Sequence, residues 1–396
     1  MSTFKSVNAL KHPGKRKNCF LKDGVLTAGY KTVDLNSELP IDTVFAVKSK
    51  AVETYFVVTS RIIYKSKDGK NFEFHSTYGC KNPFLVEDYE GEKPFAAIVS
   101  NTFVSVFYED GADLMGIPHR LTCGVMHCGR LFGADGYVLR WSGTGGIGDW
   151  KEGINGCGYL LLDRARGKVL NLLVYDGKLI AVRENGLTVF KMYGSPENFS
   201  VDGSDFDCYG VYSNTACIVG GKLFFYSKSG LRCFDGNKIT AVETGFTLSE
   251  INMAVSHGDK YFLACYNDDW DMYAILCYDV LDGSSCIVPE SADLLYVSDG
   301  VRIVYDGEHK LLVSGGAYSF ESAPIDFGTD SKKTVTKVKL SGKANIGVSN
   351  GKYARWLYDG SESFRPHLRG KKFVIIANGK EKLEELTVTA EVTDAI

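Results

Sequence analysis

The sequence predicts an almost wholly β protein built from consecutive hairpins, and three observations carry that prediction. Eleven Asp-Gly and four Asn-Gly pairs punctuate the 396 residues, from Asp23-Gly24 to Asn378-Gly379, mostly between short runs of Val, Ile, Leu, Phe and Tyr. A two-residue hairpin turn of the primed type needs positive φ at both central positions, which Asn, Asp and Gly tolerate. The chain also holds 23 Phe and 22 Tyr, side chains that pack flat on a pleated surface. Finally, no segment sustains apolar residues at i, i+3, i+4 and i+7 for the ten or more residues a helix requires.

Residues 1–42 hold a basic stretch from Lys11 to Lys17 and one hairpin, NCFLKDGVLTAGYKTV. From Thr43 to Gly316 come seven strand-rich modules at a mean spacing of roughly 40 residues. They run through Tyr55–Phe74, Phe95–Ile117, Cys123–Gly143, Leu170–Met192, Ala216–Ile239, Ile251–Val280 and Asp293–Gly316. Each is apolar strand, tight turn, apolar strand, tight turn. A lone four-stranded sheet cannot bury both faces, so such modules stack on neighbours, and radial closure removes long sheet edges. The expected architecture for residues 43–316 is therefore a β-propeller of six or seven blades. Past Gly316 the texture changes to longer strands with charged outward positions, among them Thr334, Thr336 and Lys337 beside Val335 and Val338. Residues 317–396 read as a C-terminal antiparallel β-sandwich. The N-terminal hairpin is expected either to complete the last blade or to pack on that sandwich.

Composition narrows the function. A formal charge of −3 and a pI near 6.2 give no global drive toward nucleic acid or anionic membranes. Any DNA contact is expected to be local, through Lys11, Lys15, Arg16 and Lys17, in a segment that otherwise reads as a solvated flexible arm. Met1 to Phe20 lacks the apolar core of a secretory signal, so folding in the cytoplasm without export is expected. Eleven cysteines without a C-x-x-C pair read as reduced core thiols. Cys123, His127 and Cys128 come nearest to a metal cluster. Adjacent strand residues point to opposite faces, so His127 and Cys128 are a poor ligand pair, and no metal is expected.

Candidate chemistry reduces mostly to turns. Ser66-Lys67-Asp68-Gly69-Lys70-Asn71-Phe72 resembles the Asp-box turn of sialidase-type propellers, where the Asp and Ser brace backbone and the aromatic lies beneath, so Asp68 is not read as catalytic. A glycoside hydrolase would need paired carboxylates in a central cleft. The candidates are Asp205 and Asp207, and Asp268, Asp269 and Asp271, each beside aromatics; the Asp268–Asp271 run reads more simply as a polar hairpin loop, and a calcium loop of oxygen ligands is a weaker option than hydrolysis. No arginine triad is assignable among Arg130, Arg140, Arg164, Arg166 and Arg183. The histidines His75, His119, His257, His309 and His367 lack a Ser or Cys partner in a recognisable elbow. The glycine-rich Ser142–Gly148 stretch has no Lys-Ser/Thr ending to cradle phosphate. The modules also lack the Trp-Asp endings and Gly-His openings of WD repeats. No catalytic residue, cofactor or metal site is expected.

The block from Trp141 to Val201 resembles the blade-to-blade pattern of tail-associated β-propeller proteins of tailed bacteriophages. Its matching residues are Gly148, Asp149, Trp150, Gly158, Tyr159, Gly177, Lys178, Leu179, Asn185, Gly194, Pro196, Asn198 and Phe199. PIDFGTDSKKTVTKVKL and the later LRGKKFVIIANG, Leu368 to Gly379, are similar to the sandwich that comes after the propeller in those proteins. The resemblance covers roughly Phe95 to the C-terminus. It implies a structural virion protein, a hub, nozzle or adaptor subunit present in several copies around the tail axis, in contact with other tail or portal-complex proteins, and not an enzyme. The alternative is a propeller glycoside hydrolase or glycan-binding tail protein acting on host surface polysaccharide.

Overall fold

A computed structural model describes residues 2–77, 82–89, 93–153, 156–358 and 362–393. Seven small antiparallel sheets succeed one another along the chain, and the described residues contain no α-helix. Blade 1 is Thr43–Ser49, Thr54–Thr59, Ile62–Ser66 and Glu73–Thr77. Blade 2 is Phe84–Asp88, Phe95–Phe107 and Ala112–Leu121; its middle strand breaks register at Asn101, so its first half pairs inward and its second half outward. Blade 3 is Cys123–His127, Arg130–Asp135, Val138–Trp141 and Gly158–Leu161, and blade 4 is Val169–Tyr175, Lys178–Arg183, Gly186–Lys191 and Ser200–Asp207. Blade 5 is Cys217–Val219, Lys222–Ser227, Gly230–Phe234 and Ile239–Ala241. Blade 6 is Leu248–Ser249 with Ala254–His257, then Lys260–Asn267, Met272–Asp279 and Ser285–Val288. Blade 7 is Leu294–Val297, Val301–Tyr305 and Glu308–Ser314, and its outer strand is Tyr30–Glu38.

Turn chemistry accounts for the hairpins. Asp176-Gly177 takes φ of 49° and 69°, and Asp306-Gly307 takes 49° and 78°, the doubly positive pair of a primed turn. Side chains alternate between the two faces of each blade, and each face packs on a neighbour. Blades 1 and 2 share a core around Phe56 and Phe107, and blades 3 and 4 share Phe132, Trp141, Leu179 and Phe190. Blades 5 and 6 meet through Tyr226, Leu231, Tyr261 and Leu263. The ring is closed: Ala46, Tyr55 and Val57 of blade 1 pack on Leu294, Tyr296 and Val304 of blade 7. The protein is thus a seven-bladed β-propeller, with the first strands of its blades approaching one another around the axis.

A further sheet follows the ring: a hydrogen-bonded network of ten strands in which Lys333–Ser349 and Val374–Thr393 pair along nearly their whole length. Register shifts around Gly342 (φ 120°) mark where this ladder is interrupted, and its two stretches bury a single core of Phe320, Val338, Ile346, Ile375, Leu383 and Val388. Residues 2–28, expected within a separate N-terminal segment ending at residue 42, belong to this same sheet. Ser2–Asn8 pairs with Val374–Thr393, Pro13–Lys17 pairs with Tyr318–Ser322, and the hairpin Cys19–Lys22/Val25–Ala28 touches the long strand at Leu383. The hairpin therefore joins the second sheet, and the strand after it closes the ring.

Asn18 joins the two bodies. Buried at 3% exposure and held at φ 54°, it donates from Nδ2 to the Tyr30 and Ala317 carbonyls at 2.7 and 2.8 Å. Its Oδ1 accepts from Tyr30 N, and its own N–H reaches Ile287 O on the outer strand of blade 6 at 2.6 Å. The chains crowd here: a Cβ on Gly316 would lie 1.8 Å from Tyr30 O, and one on Gly29 would lie 2.4 Å from Asn18 Oδ1. Only glycine allows that approach.

Candidate functional site

The two groups of carboxylates considered for glycoside chemistry lie on different blades. Asp205 and Asp207 lie on the outer strand of blade 4, where Arg166 clamps both, Nη1 to Asp205 Oδ2 at 3.1 Å and Nη2 to Asp207 Oδ1 at 2.9 Å. Asp268, Asp269 and Asp271 lie in the Asn267–Met272 hairpin of blade 6. There Asp268 accepts from Ser249 Oγ, Asp269 from Thr247 N and Asp271 from the Tyr266 hydroxyl. The first strands of the blades carry two carboxylates between them, Glu87 and Asp88, and Glu87 accepts from Ser49 Oγ, Lys50 N and Ala51 N.

The arginines are braces. Arg183, fully buried, donates to Gly167 O and to Asp163. Arg130 donates to Ser142 O at 2.7 Å and Gly156 O at 3.1 Å. Arg140 and Arg164 stack on Tyr159 and Tyr137. In the Asp-box-like turn, Asp68 Oδ1 accepts from Lys70 N, Asn71 N and Ser66 Oγ, Gly69 N donates to Ser66 Oγ, and Phe72 lies in the blade 7–blade 1 core. These bonds hold the Asp68 carboxyl well below the usual range.

The residues carrying the sequence resemblance are also structural. Phe199 packs on Trp141 at 5.2 Å and on Phe132 at 5.8 Å, tying the end of blade 3 to blade 4. In the second sheet Lys333, 1% exposed, donates to three carbonyls: Asp326 and Thr329 at 2.6 Å and Lys371 at 2.7 Å. Ile325 and Phe373 exchange backbone hydrogen bonds beside it. One ammonium thus bridges PIDFG and LRGKK, two motifs far apart in sequence.

Histidine and cysteine chemistry is muted. His309 is fully buried, Nε2 to the Tyr296 hydroxyl at 2.5 Å, and desolvation together with the nearby Arg302 charge pushes its pKa down to about 4. His75 and His119 pack on Phe107 and Trp150. Burial pushes the Cys19, Cys123 and Cys265 thiols up to about 12, so they stay protonated and inert at neutral pH. Cys123 and His127 stand at opposite ends of one strand, and no metal-ligand cluster occurs among the described residues.

The basic N-terminal segment is not a flexible arm. Pro13–Lys17 is a strand whose side chains lie on blades 5 and 6: Arg16 stacks on Phe246 at 4.8 Å, while Lys15 and Lys17 stand 5.6 and 5.9 Å from the Trp270 ring. Trp270 Nε1 donates to Arg16 O at 2.9 Å. Cation–π contact and sheet pairing order a stretch whose charge alone suggested disorder. Burial also lowers the Arg16 pKa; Lys17 is half-buried like Arg16, and Lys11 and Lys15 are exposed.

Two clefts open between the blades and their links. One cleft of about 500 Å³ separates the basic strand from blades 5 and 6, with Arg16, Tyr226, Asp269 and Trp270 in its wall. Another, of about 610 Å³, is formed where blades 2, 3 and 4 meet, by Arg120, Asp135, Tyr137, Val138, Leu161, Arg164 and Lys168. Arg120, Arg164 and Lys168 are exposed there, and none lies within 4.0 Å of a carboxylate among the described residues. Sequence reasoning weighed Arg164 only as a member of an arginine triad and passed over the other two. The signal was three cations within five residues, Arg164 to Lys168, in the link between two blades.

Fold and surface define a seven-bladed propeller joined to a second antiparallel sheet, with mixed polar and apolar clefts on its rim. No family model and no curated protein matches the sequence. Similar solved structures include the Neurospora crassa Pan2 WD40 domain, at TM-score 0.48 and 9% identity over 77% of this chain and 98% of that one. PorZ, an essential bacterial surface component of the type-IX secretion system of Porphyromonas gingivalis, aligns at TM-score 0.48 and 9% identity over 89% of this chain. This chain spans 58% of the length of PorZ. Kluyveromyces lactis Hsv2p aligns at TM-score 0.42 and 10% identity over 80% of this chain and 96% of that one. These are likenesses of fold.

Proposed function

We propose that the protein is a structural component of a bacteriophage or prophage tail, a hub, nozzle or adaptor subunit that folds in the host cytoplasm and assembles through protein contacts. The observation that carries this reading is the use made of the residues resembling tail-associated propeller proteins. Phe199 against Trp141, and Lys333 across two motifs, are internal braces. Such braces serve a body that must keep its shape under load, and they leave the surface free for neighbouring subunits. Contact with other tail or portal-complex proteins, repeated copies around the tail axis, and DNA contact through Lys11, Lys15 or Lys17 belong to the same reading. The test is mass spectrometry and immunogold microscopy of purified particles. The protein is expected in the tail at fixed stoichiometry, and deletion of its gene is expected to give particles with defective tails. Absence from purified particles, with assembly unaffected by the deletion, overturns the proposal.

A further inference from the structure

The ring carries two surfaces of opposite charge on one rim. Successive strands of a blade run antiparallel, so the turn after the second strand and the link leaving the fourth fall at the same end of the ring. The 610 Å³ cleft is built from such segments: the end of blade 2 at Arg120, the hairpin at Tyr137, and the link from Leu161 to Leu170. Its cations are Arg120, Arg164 and Lys168. Val138 and Leu161, the latter 68% exposed, form an apolar wall, and Asp135 is the acidic group in the lining.

At the same end, on blades 6 and 7, lie Glu250, Asp268, Asp271, Asp293 and Asp306, none within 4.0 Å of a cation among the described residues. The acidic surface is tied together. Tyr273 donates to Glu250 at 2.6 Å, Asp306 N to Asp293 Oδ2 at 2.9 Å, and Asn252 Nδ2 to Asp293 O at 3.1 Å. Tyr273 and Tyr305 stand out from it at 51% and 44% exposure. Lys15 and Lys17, on the strand beside blade 6, are turned onto Trp270.

We propose that the cationic cleft of blade 3 is a docking site for the acidic, tyrosine-bearing rim of blades 6 and 7 on a second copy of this chain. Charge complementarity selects that occupant, and arginine and tyrosine beside an apolar wall are the side chains that anchor interfaces. Three steps round a ring of seven place the two surfaces far apart on one molecule. The contact is therefore head-to-tail, and closes into a ring of subunits when the rotation allows. The inference rests on the assembly part of the proposed function and is independent of its viral part.

The test is sedimentation velocity of the full chain at 50 and 500 mM salt, with two charge-reversed variants, Arg164→Glu/Lys168→Glu and Glu250→Lys/Asp268→Lys. Wild type is expected to form oligomers that weaken about tenfold or more in high salt. Each variant alone is expected to be monomeric, and an equimolar mixture to associate, since each then meets its complement. The mixture also shows that both variants are folded. A monomeric wild type at both salts, reversal without effect, or a mixture of two folded variants that stays monomeric overturns the inference. A monomeric chain still incorporated into particles removes this interface and leaves the tail assignment standing.

Discussion

Lys333 is the clearest case of a single side chain holding distant sequence together. Nothing in the run Lys332-Lys333 distinguishes the two lysines, because alternation says which faces inward only once the neighbouring strand is known. Replacement by Met keeps the stem and removes the donor, leaving the carbonyls of Asp326, Thr329 and Lys371 without it. Lys333→Met is expected to lower stability by about 2–4 kcal/mol in urea titrations, the scale of buried acceptors losing a charged donor. His309 sets an acid limit. Its folded pKa of about 4 lies below the ordinary value near 6.5, so between those values the unfolded chain binds the extra proton. Its neutral form therefore carries no penalty above about pH 6.5, and stability falls from there toward pH 4 by up to about 3 kcal/mol. His309→Phe is expected to flatten that limb of the stability–pH curve, measured by denaturation at a series of pH values.

At the scale of elements, the seven hairpin modules were legible because each turn carries its own instruction. Asp176-Gly177 adopts a primed turn whatever lies elsewhere in the chain. Strand partnership was not legible at the N-terminus. Phe4 pairs with Glu391 and Arg16 with Phe320, and a period of two fixes a face without naming a partner so far away. Pro13–Lys17 added a second obstacle, since it has no apolar alternation and is ordered by aromatic rings borrowed from blades 5 and 6. Limited trypsin digestion checks this: cleavage at Lys15–Lys17 is expected to be slow in the wild type and at least about tenfold faster in Trp270→Ala, which loses the cation–π platform and the bond to Arg16 O. Equal rates would mean that sheet pairing alone holds the strand. The rim cleft was equally hidden, because its parts come from three separate segments.

For the whole molecule, the ring and the second sheet share strands in a way that ties their stabilities. The chain leaves the sheet at Ala28, gives its next strand to blade 7, and passes at Asn18 within hydrogen-bond reach of blade 6. Calorimetry is expected to show one cooperative transition. Asn18→Ala, which removes four hydrogen bonds at the crossing, one of them from Cys286 Sγ, and keeps an unfavourable φ, is expected to split it into two, with the ring and the sheet melting separately.

The outer strand of blade 7 has a consequence in time. Tyr30–Glu38 leaves the ribosome before its partner is made, since that partner begins at Glu308, 270 residues after Glu38. At roughly 5–20 residues per second, that strand waits on the order of 15–55 s for its mate. Throughout that interval the nascent chain carries an unclosed circle, and only a polypeptide translated past Ser314 can seal it. Truncated products are thereby marked as unfinished, open to proteolysis before they reach any assembly.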